Sequence, residues 1–254
     1  LLDDRTGVAR MTMDATWLTA MRTAAGSALA TDALAAKLSK IMIVFGAGLQ
    51  AEAHIIAMLE VRNSVKEVII VNRTEARGMR LVSEMRQKFP GCSFSFRRRA
   101  DASLVSSADI ICCCTNSSSP LFDGNWLSPS THVNAVGSYM PEMQEVDETT
   151  VSHCDVVCLD TLSAEISGDI CVARTNGALD EERITTLGAL LSAAASSQDA
   201  HTSPTNSLTR AGASAKTHLQ QRKCTLFKSV GVAFQDIATA DAVAREIDSC
   251  EPGS

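Results

Sequence analysis

Three groups of residues have the types and spacing to do chemistry. The first is Gly46-Ala47-Gly48 with Gln50, which follows directly on the apolar run Ile41 to Phe45. The second is Asn72-Arg73-Thr74, which closes another apolar run, Glu67 to Val71, about 20 residues further on. The third is scattered: Arg22 in an Ala-rich stretch, Thr115 and Asn116 after the run from Ile110, Val136-Gly137 and Tyr139 after the run from Thr131, and Ser229 and Gly231 near the end. Short apolar runs that break into glycine and then into helical spacing, with Ala53, Ile56, Ala57 and Glu60 at intervals of three and four, read as strand, turn and helix. In that arrangement glycine lets the backbone approach a pyrophosphate at the positive end of the helix. A G-x-G-x-x-A string alone is weak; the second strand ending at Asn72 strengthens it.

The position after the second strand reads the adenosine ribose, and in NAD-binding units it carries a carboxylate. Here it is Asn72 followed by Arg73. A carboxylate repels a 2'-phosphate and a guanidinium grips one, so the pairing favours NADP over NAD. The alternative is that Arg73 is one more solvated charge.

These groups need elements to hold them. Runs at Cys92–Phe96, Ile110–Thr115, Thr131–Val136 and Asp155–Leu159 alternate with helical spacing at Thr74–Lys88 and Asp101–Ala108. The alternation over 38 to about 170 predicts a doubly wound parallel α/β sheet, in which ligands sit at the carboxyl ends of strands. That places the loop Thr115–Pro120 beside the nicotinamide or its ribose. Ahead of the sheet, Leu1 to Met13 reads as a hairpin with Gly7 in the turn, Asp14 as a helix N-cap, and Trp17 to Ala36 as a helix that breaks or restarts at Gly26 and Thr31-Asp32. After it, Ser, Thr, Ala and Gln dominate from about 191 to 224, too polar to offset the entropy of ordering, which predicts a mobile insertion, although Ala193 to Ser196 could extend a helix. A strand at Thr225–Val230 and a helix at Val232–Ile247 follow, expected to pair back with the N-terminal hairpin and helices. The expected division is 1–36 and 225–254 in one domain, 37–190 in the dinucleotide-binding domain, and 191–224 as the insertion.

The totals exclude several classes. A chain of 254 residues has ample apolar content for a large core, and a net charge of −6 disfavours a general nucleic-acid binder. The run Arg97-Arg98-Arg99 is short and reads as a solvated strand edge. No run approaches the roughly 18 apolar residues of a membrane span, and a cytoplasmic protein is expected. Nine cysteines lack metal spacing; Cys112-Cys113-Cys114 lie consecutively on a strand, where neighbours face opposite ways, so reduced thiols and no metal are expected. His54 and His132 read as structural. The chain begins at Leu1, within what already looks like a strand, and a truncated product is expected.

Five separated stretches, LLDDRTG with MTMDATWLTAMRTAAGSALAT, GAGLQAEAH, VNRTEAR, AVGSYMPEMQEVD and FKSVGVAFQDIATA, occur in the order seen in one family. The sequence resembles the ornithine cyclodeaminase and mu-crystallin family over nearly its whole length. The resemblance implies a Rossmann sheet inserted in a smaller α+β substrate and dimerisation domain, incomplete here, and a homodimer for the intact protein. It implies that Arg22 binds a substrate carboxylate, that Gly46, Ala47, Gly48 and Gln50 form the pyrophosphate turn, and that Asn72, Arg73 and Thr74 read the adenosine phosphate. It places Thr115, Asn116, Val136 and Gly137 on the nicotinamide side, with Ser229 and Gly231 in a segment closing over the cofactor.

One departure bears on activity. Cyclodeaminases carry an acid-base aspartate where Gly137-Ser138-Tyr139-Met140-Pro141 places Tyr139. A phenol is a poor base at neutral pH but donates a hydrogen bond. The implied function is therefore NADPH-dependent reduction of a small cyclic imine or ketimine carboxylate such as pyrroline-2-carboxylate, with Tyr139 as candidate proton donor. Ornithine cyclodeamination and non-catalytic cofactor or small-ligand binding are the alternatives.

Overall fold

The computed structural model describes residues 1–196 and 223–250. Eight parallel strands form one sheet: β1 (Ile41–Phe45), β2 (Glu67–Val71), β3 (Ser93–Arg97), β4 (Ile110–Cys113), β5 (His132–Ala135), β6 (Val156–Leu159), β7 (Ile184–Thr186) and β8 (Thr225–Lys228). Their order is β3-β2-β1-β4-β5-β8-β6-β7, so the winding reverses between β1 and β4. Such a reversal opens a crevice at the carboxyl ends of the strands. Both faces are covered, as an all-parallel sheet requires. Met42, Val44, Ile70, Ile110 and Cys112 face one core; Ile43, Phe45, Ile69, Ile111 and Cys113 face the other. Adjacent cysteines therefore do lie on opposite faces. Among the described residues no cluster of His, Cys, Asp or Glu could hold a metal, and no helix is long and apolar enough to cross a membrane.

Helix α1 (Ala15–Leu34) starts where Asp14 accepts a bond from the Thr16 N–H at 2.7 Å. It then runs without the expected break, because the residues that looked like punctuation are used in packing. Gly26 is buried, and a Cβ there would meet Gln235 Nε2 at 3.3 Å. Thr31 donates to Met58 Sδ, and Asp32 pairs with Arg62 at 2.5 Å. These contacts dock α1 on α2 (Leu49–Val61). The expected hairpin ahead of it is reduced to one antiparallel bridge, Leu2 with Ala9, around Gly7 at φ 69°.

The remaining helices are α3 (Glu75–Lys88), α4 (Ala102–Ser107), α5 (Glu148–His153), α6 (Gly168–Thr175), α7 (Leu187–Ser196) and α8 (Ala233–Cys250). Residues 191–196 lie in α7, which includes the helix extension expected at Ala193 to Ser196; of the rest of the expected insertion, 197–222 lies outside the described residues.

The largest correction concerns β8. It does not pair back with the N-terminal segment but lies between β5 and β6, with Leu226 opposite both Val133 and Val157. All four of its residues are buried. Leu226 and Phe227, fully enclosed, contribute about 1.5–3 kcal/mol each, a gain that an edge position could not supply. The return to the N-terminal helix is by packing rather than pairing: Phe227 of β8 clusters with Ala30 and Leu34 of α1, and α8 packs on α1 as well.

Candidate functional site

The turn after β1 is shaped by Gly46. Its φ is 110°, and a Cβ would fall 2.6 Å from the Cys114 carbonyl oxygen, so only glycine fits between β1 and the end of β4. Gly48, the N-cap of α2, is different: its Cβ would meet nothing within 4 Å, and no side chain caps the helix. With no side-chain cap, the first-turn N–H groups of α2 are available to an anion. Gln50 Oε1 is buried there without a hydrogen-bond partner. An open cradle at Gly48 and an orphaned buried amide oxygen fit a dinucleotide pyrophosphate.

At the end of β2, Asn72 Nδ2 donates to the Thr74 carbonyl at 2.8 Å and holds the loop before α3. Thr74 occupies the N-cap of α3 without using its hydroxyl. Arg73 is exposed, and no carboxylate among the described residues pairs with it. The arginine run starts at the last residue of the edge strand β3, Arg97, and continues beyond it; that strand end adjoins this loop, since the Asn72 N–H donates to the Arg97 carbonyl at 3.2 Å.

A cavity of about 350 Å³ lies between α1, the carboxyl ends of β4 and β5, and the segment after β8. It brings together Arg22, Gln50, Thr115, Asn116, Val136, Gly137, Tyr139, Ser229 and Gly231, and adds Thr19, Thr23, Cys114 and Val230. Gly46, Ala47, Gly48 and the Asn72–Thr74 loop lie outside its lining, along the sheet's carboxyl edge. The Arg22 side chain is 14% exposed; its Nε donates to Asp236 at 2.9 Å and Nη1 to Gln235 Oε1 at 3.2 Å, both from α8. Among the described residues Nη2 has no hydrogen-bond partner, so a planar anion could still be received there. Tyr139 is 55% exposed at the rim.

Four ionisable residues missed by sequence reasoning hold this wall. Asp160 Oδ2 accepts from Ser229 Oγ, Val230 N–H and Gly231 N–H at 2.7, 3.0 and 2.7 Å, and so fixes the closing segment. Glu145 ties the Thr115 and Gly137 loops, while Asp169 and Lys228 form an ion pair at 2.8 Å with both side chains fully buried. Burial raises the Glu145 carboxyl, with donors at Thr115 and the Lys228 charge opposing it. The available signal was faint: a lysine closing an apolar strand, and a glutamate within AVGSYMPEMQEVD. His54 and His132 are structural as expected. His54 Nε2 lies 3.0 Å from Ser27 Oγ and Nδ1 2.7 Å from the Gln50 carbonyl; His132 Nδ1 lies 2.8 Å from Thr225 Oγ1.

Residues 1–251 match the model of the ornithine cyclodeaminase/mu-crystallin family. Among curated relatives, Δ1-pyrroline-2-carboxylate reductase of Colwellia psychrerythraea is 31% identical, covering 97% of this chain and 72% of that protein. Ketimine reductase mu-crystallin of Mus musculus is 31% identical, covering 96% of this chain and 67% of that protein. Among solved structures, Δ1-pyrroline-2-carboxylate reductase of Thermococcus litoralis, in complex with NADH and L-proline, superposes with a TM-score of 0.81 at 28% identity, covering 98% of this chain and 70% of that one. With the doubly wound sheet, the glycine turn and a family match from end to end, the chain belongs to the ornithine cyclodeaminase/mu-crystallin family.

Proposed function

We propose that the chain is an NAD(P)H-dependent reductase of a small cyclic imine or ketimine carboxylate, with pyrroline-2-carboxylate as the model substrate. The observation that carries this reading is the shared cavity: a partly buried arginine, whose Nη2 has no hydrogen-bond partner among the described residues, stands opposite the loops after β4 and β5. A reduced pyridine nucleotide, when bound, supplies the hydride. The protein's part is then to bind, orient and protonate.

In this reading the α2 N-terminus and Gln50 hold the pyrophosphate, and Thr115, Asn116, Val136 and Gly137 border the nicotinamide. Arg22 anchors the substrate carboxylate, pre-aligned by Asp236 and Gln235 so that little side-chain entropy remains to be lost on binding. Ser229 and Gly231, clasped by Asp160, cover the cavity. Tyr139 at the rim donates the proton to the imine nitrogen. Arg73, exposed and without a carboxylate partner among the described residues, supports a preference for NADPH over NADH. A small imino acid and the nucleotide are the proposed partners, and a homodimer is the proposed assembly.

The test is consumption of NADPH with pyrroline-2-carboxylate, followed by loss of NADPH absorbance and by formation of proline. Turnover that disappears in Arg22→Ala while NADPH still binds is the expected result. Binding of NADPH with no turnover of any cyclic imine carboxylate, or release of ammonia from ornithine, would overturn the reading.

A further inference from the structure

One layer behind the cavity wall, three ionisable side chains lie wholly buried: Glu145, Asp169 and Lys228. Glu145 Oε1 accepts from the Thr115 N–H and hydroxyl at 2.6 and 2.7 Å, and Oε2 accepts from the Gly137 N–H at 2.6 Å. Thr115 and Gly137 are themselves lining residues. Asp169 Oδ1 accepts from the N–H groups of Glu145 and Val146 at 2.7 and 3.0 Å, and Oδ2 takes Lys228 Nζ at 2.8 Å. Lys228 also donates to the Ser138 carbonyl.

The network is unbalanced in charge. Two carboxylates face one ammonium, and Asp169 alone meets that ammonium at contact distance. Glu145 is met only by donors. The Thr115 hydroxyl donates to it at 2.7 Å while its oxygen accepts from the Ser117 N–H at 3.2 Å, so both of its roles are used within the loop. Three converging donors suit an acceptor-only carboxylate, so the surplus negative charge rests on Glu145. A buried charge without an adjacent counter-ion is costly in a fold. Tying two loops together does not require one, since the loops already exchange a backbone bond, from the Val136 N–H to the Cys113 carbonyl at 3.1 Å. Nor can the wall be displaced easily: a Cβ on Gly137 would fall 1.8 Å from the Thr115 carbonyl oxygen.

Hydride donation leaves the nicotinamide ring as a cation, and a fixed negative charge close behind it stabilises that form over the neutral reduced one. We propose that Glu145 is an electrostatic positioning residue: its carboxylate holds the Thr115 and Gly137 loops against the ring and biases the bound cofactor towards its oxidised state, favouring reduction of the imine. The inference rests on the reading above that a pyridine nucleotide occupies the cavity.

The experiment compares the dissociation constants of NADPH and NADP+ in the wild type and in Glu145→Gln, by fluorescence titration and calorimetry without substrate. Both forms carry the 2'-phosphate, so the ratio isolates the ring. The expected result is a rise in Kd(NADP+)/Kd(NADPH) on the order of tenfold, as removal of one nearby charge gives at an interior effective dielectric. Glu145→Asp, which keeps the charge but shortens the reach, weakens both forms and leaves the ratio near that of the wild type. If Glu145→Gln loses the fold by circular dichroism, Asp169→Asn removes a charge one step further from the wall and shifts the ratio the same way by less. Equal weakening of both forms, or an unchanged ratio in a folded variant, overturns the role assigned to Glu145. Failure of the wild type to bind either nucleotide would instead overturn the proposed function.

Discussion

The Arg22 guanidinium occupies the space that a side chain on residue 231 would need: a Cβ on Gly231 would fall 2.5 Å from Nη1 and 3.0 Å from Nη2. Gly231 is also at φ 83°, a left-handed conformation that costs a non-glycine residue about 1–2 kcal/mol. Gly231→Ala should therefore push the guanidinium off its Asp236 and Gln235 supports. The expected outcome is a rise in KM for the imino acid of at least tenfold, with NADPH affinity changed far less. Steady-state kinetics beside nucleotide titration separates the two.

Arg22→Lys keeps the charge and removes the planar fork. Losing one charge-assisted bond to a carboxylate costs about 1.5–3 kcal/mol, so kcat/KM should fall roughly 10- to 100-fold while NADPH binding is preserved. An unchanged kcat/KM would remove Arg22 from substrate binding.

Arg73→Gln tests the cofactor preference. With no carboxylate among the described residues engaged by Arg73, its loss should leave the fold's thermal stability unaltered. The KM for NADPH should rise on the order of tenfold and the KM for NADH should not move, since NADH lacks the phosphate that the guanidinium would meet. A parallel rise for both nucleotides would locate Arg73 elsewhere in recognition.

Acid should destabilise this protein before its surface carboxylates titrate. Burial holds His54 down to about 4 and His132 to about 3, against an ordinary value of about 6.5. Below about pH 6.5 the unfolded chain binds protons that the folded chain refuses, so stability falls as pH drops from about 6.5 towards 4. For His54 alone the loss is on the order of 3 kcal/mol across that window. Urea unfolding at pH 7 and pH 5 should show it, and His54→Gln should flatten the dependence. Part of the slope should remain, carried by His132; the full slope persisting in the variant would mean that His54 is not a source.

Much of the architecture was legible because the strands buried on both faces spell apolar runs bounded by glycine and polar loops, as at Ile41–Phe45 and Ile110–Cys113. The residues that line the cavity were legible for a related reason, since they sit in the loops that end those runs. What failed needed tertiary information. Gly26 reads as a break by local propensity and is a packing surface in the fold. Thr225–Lys228 reads as an ordinary short strand, and nothing within it says which gap it fills. Lys228 and Asp169 are 59 residues apart in sequence and meaningful only as a pair.

The position of β8 has a consequence for biosynthesis. Residues 225–228 form the wedge between β5 and β6, so a nascent chain emerging from the ribosome has all the other strands available before this one. Until it arrives, two unpaired strand edges face each other across an unfilled slot, each a template for another chain. The sheet can close only after residue 228 has emerged, which makes the polypeptide short of that point a natural client for chaperones and makes a stop codon shortly before residue 225 a lesion of folding rather than of activity.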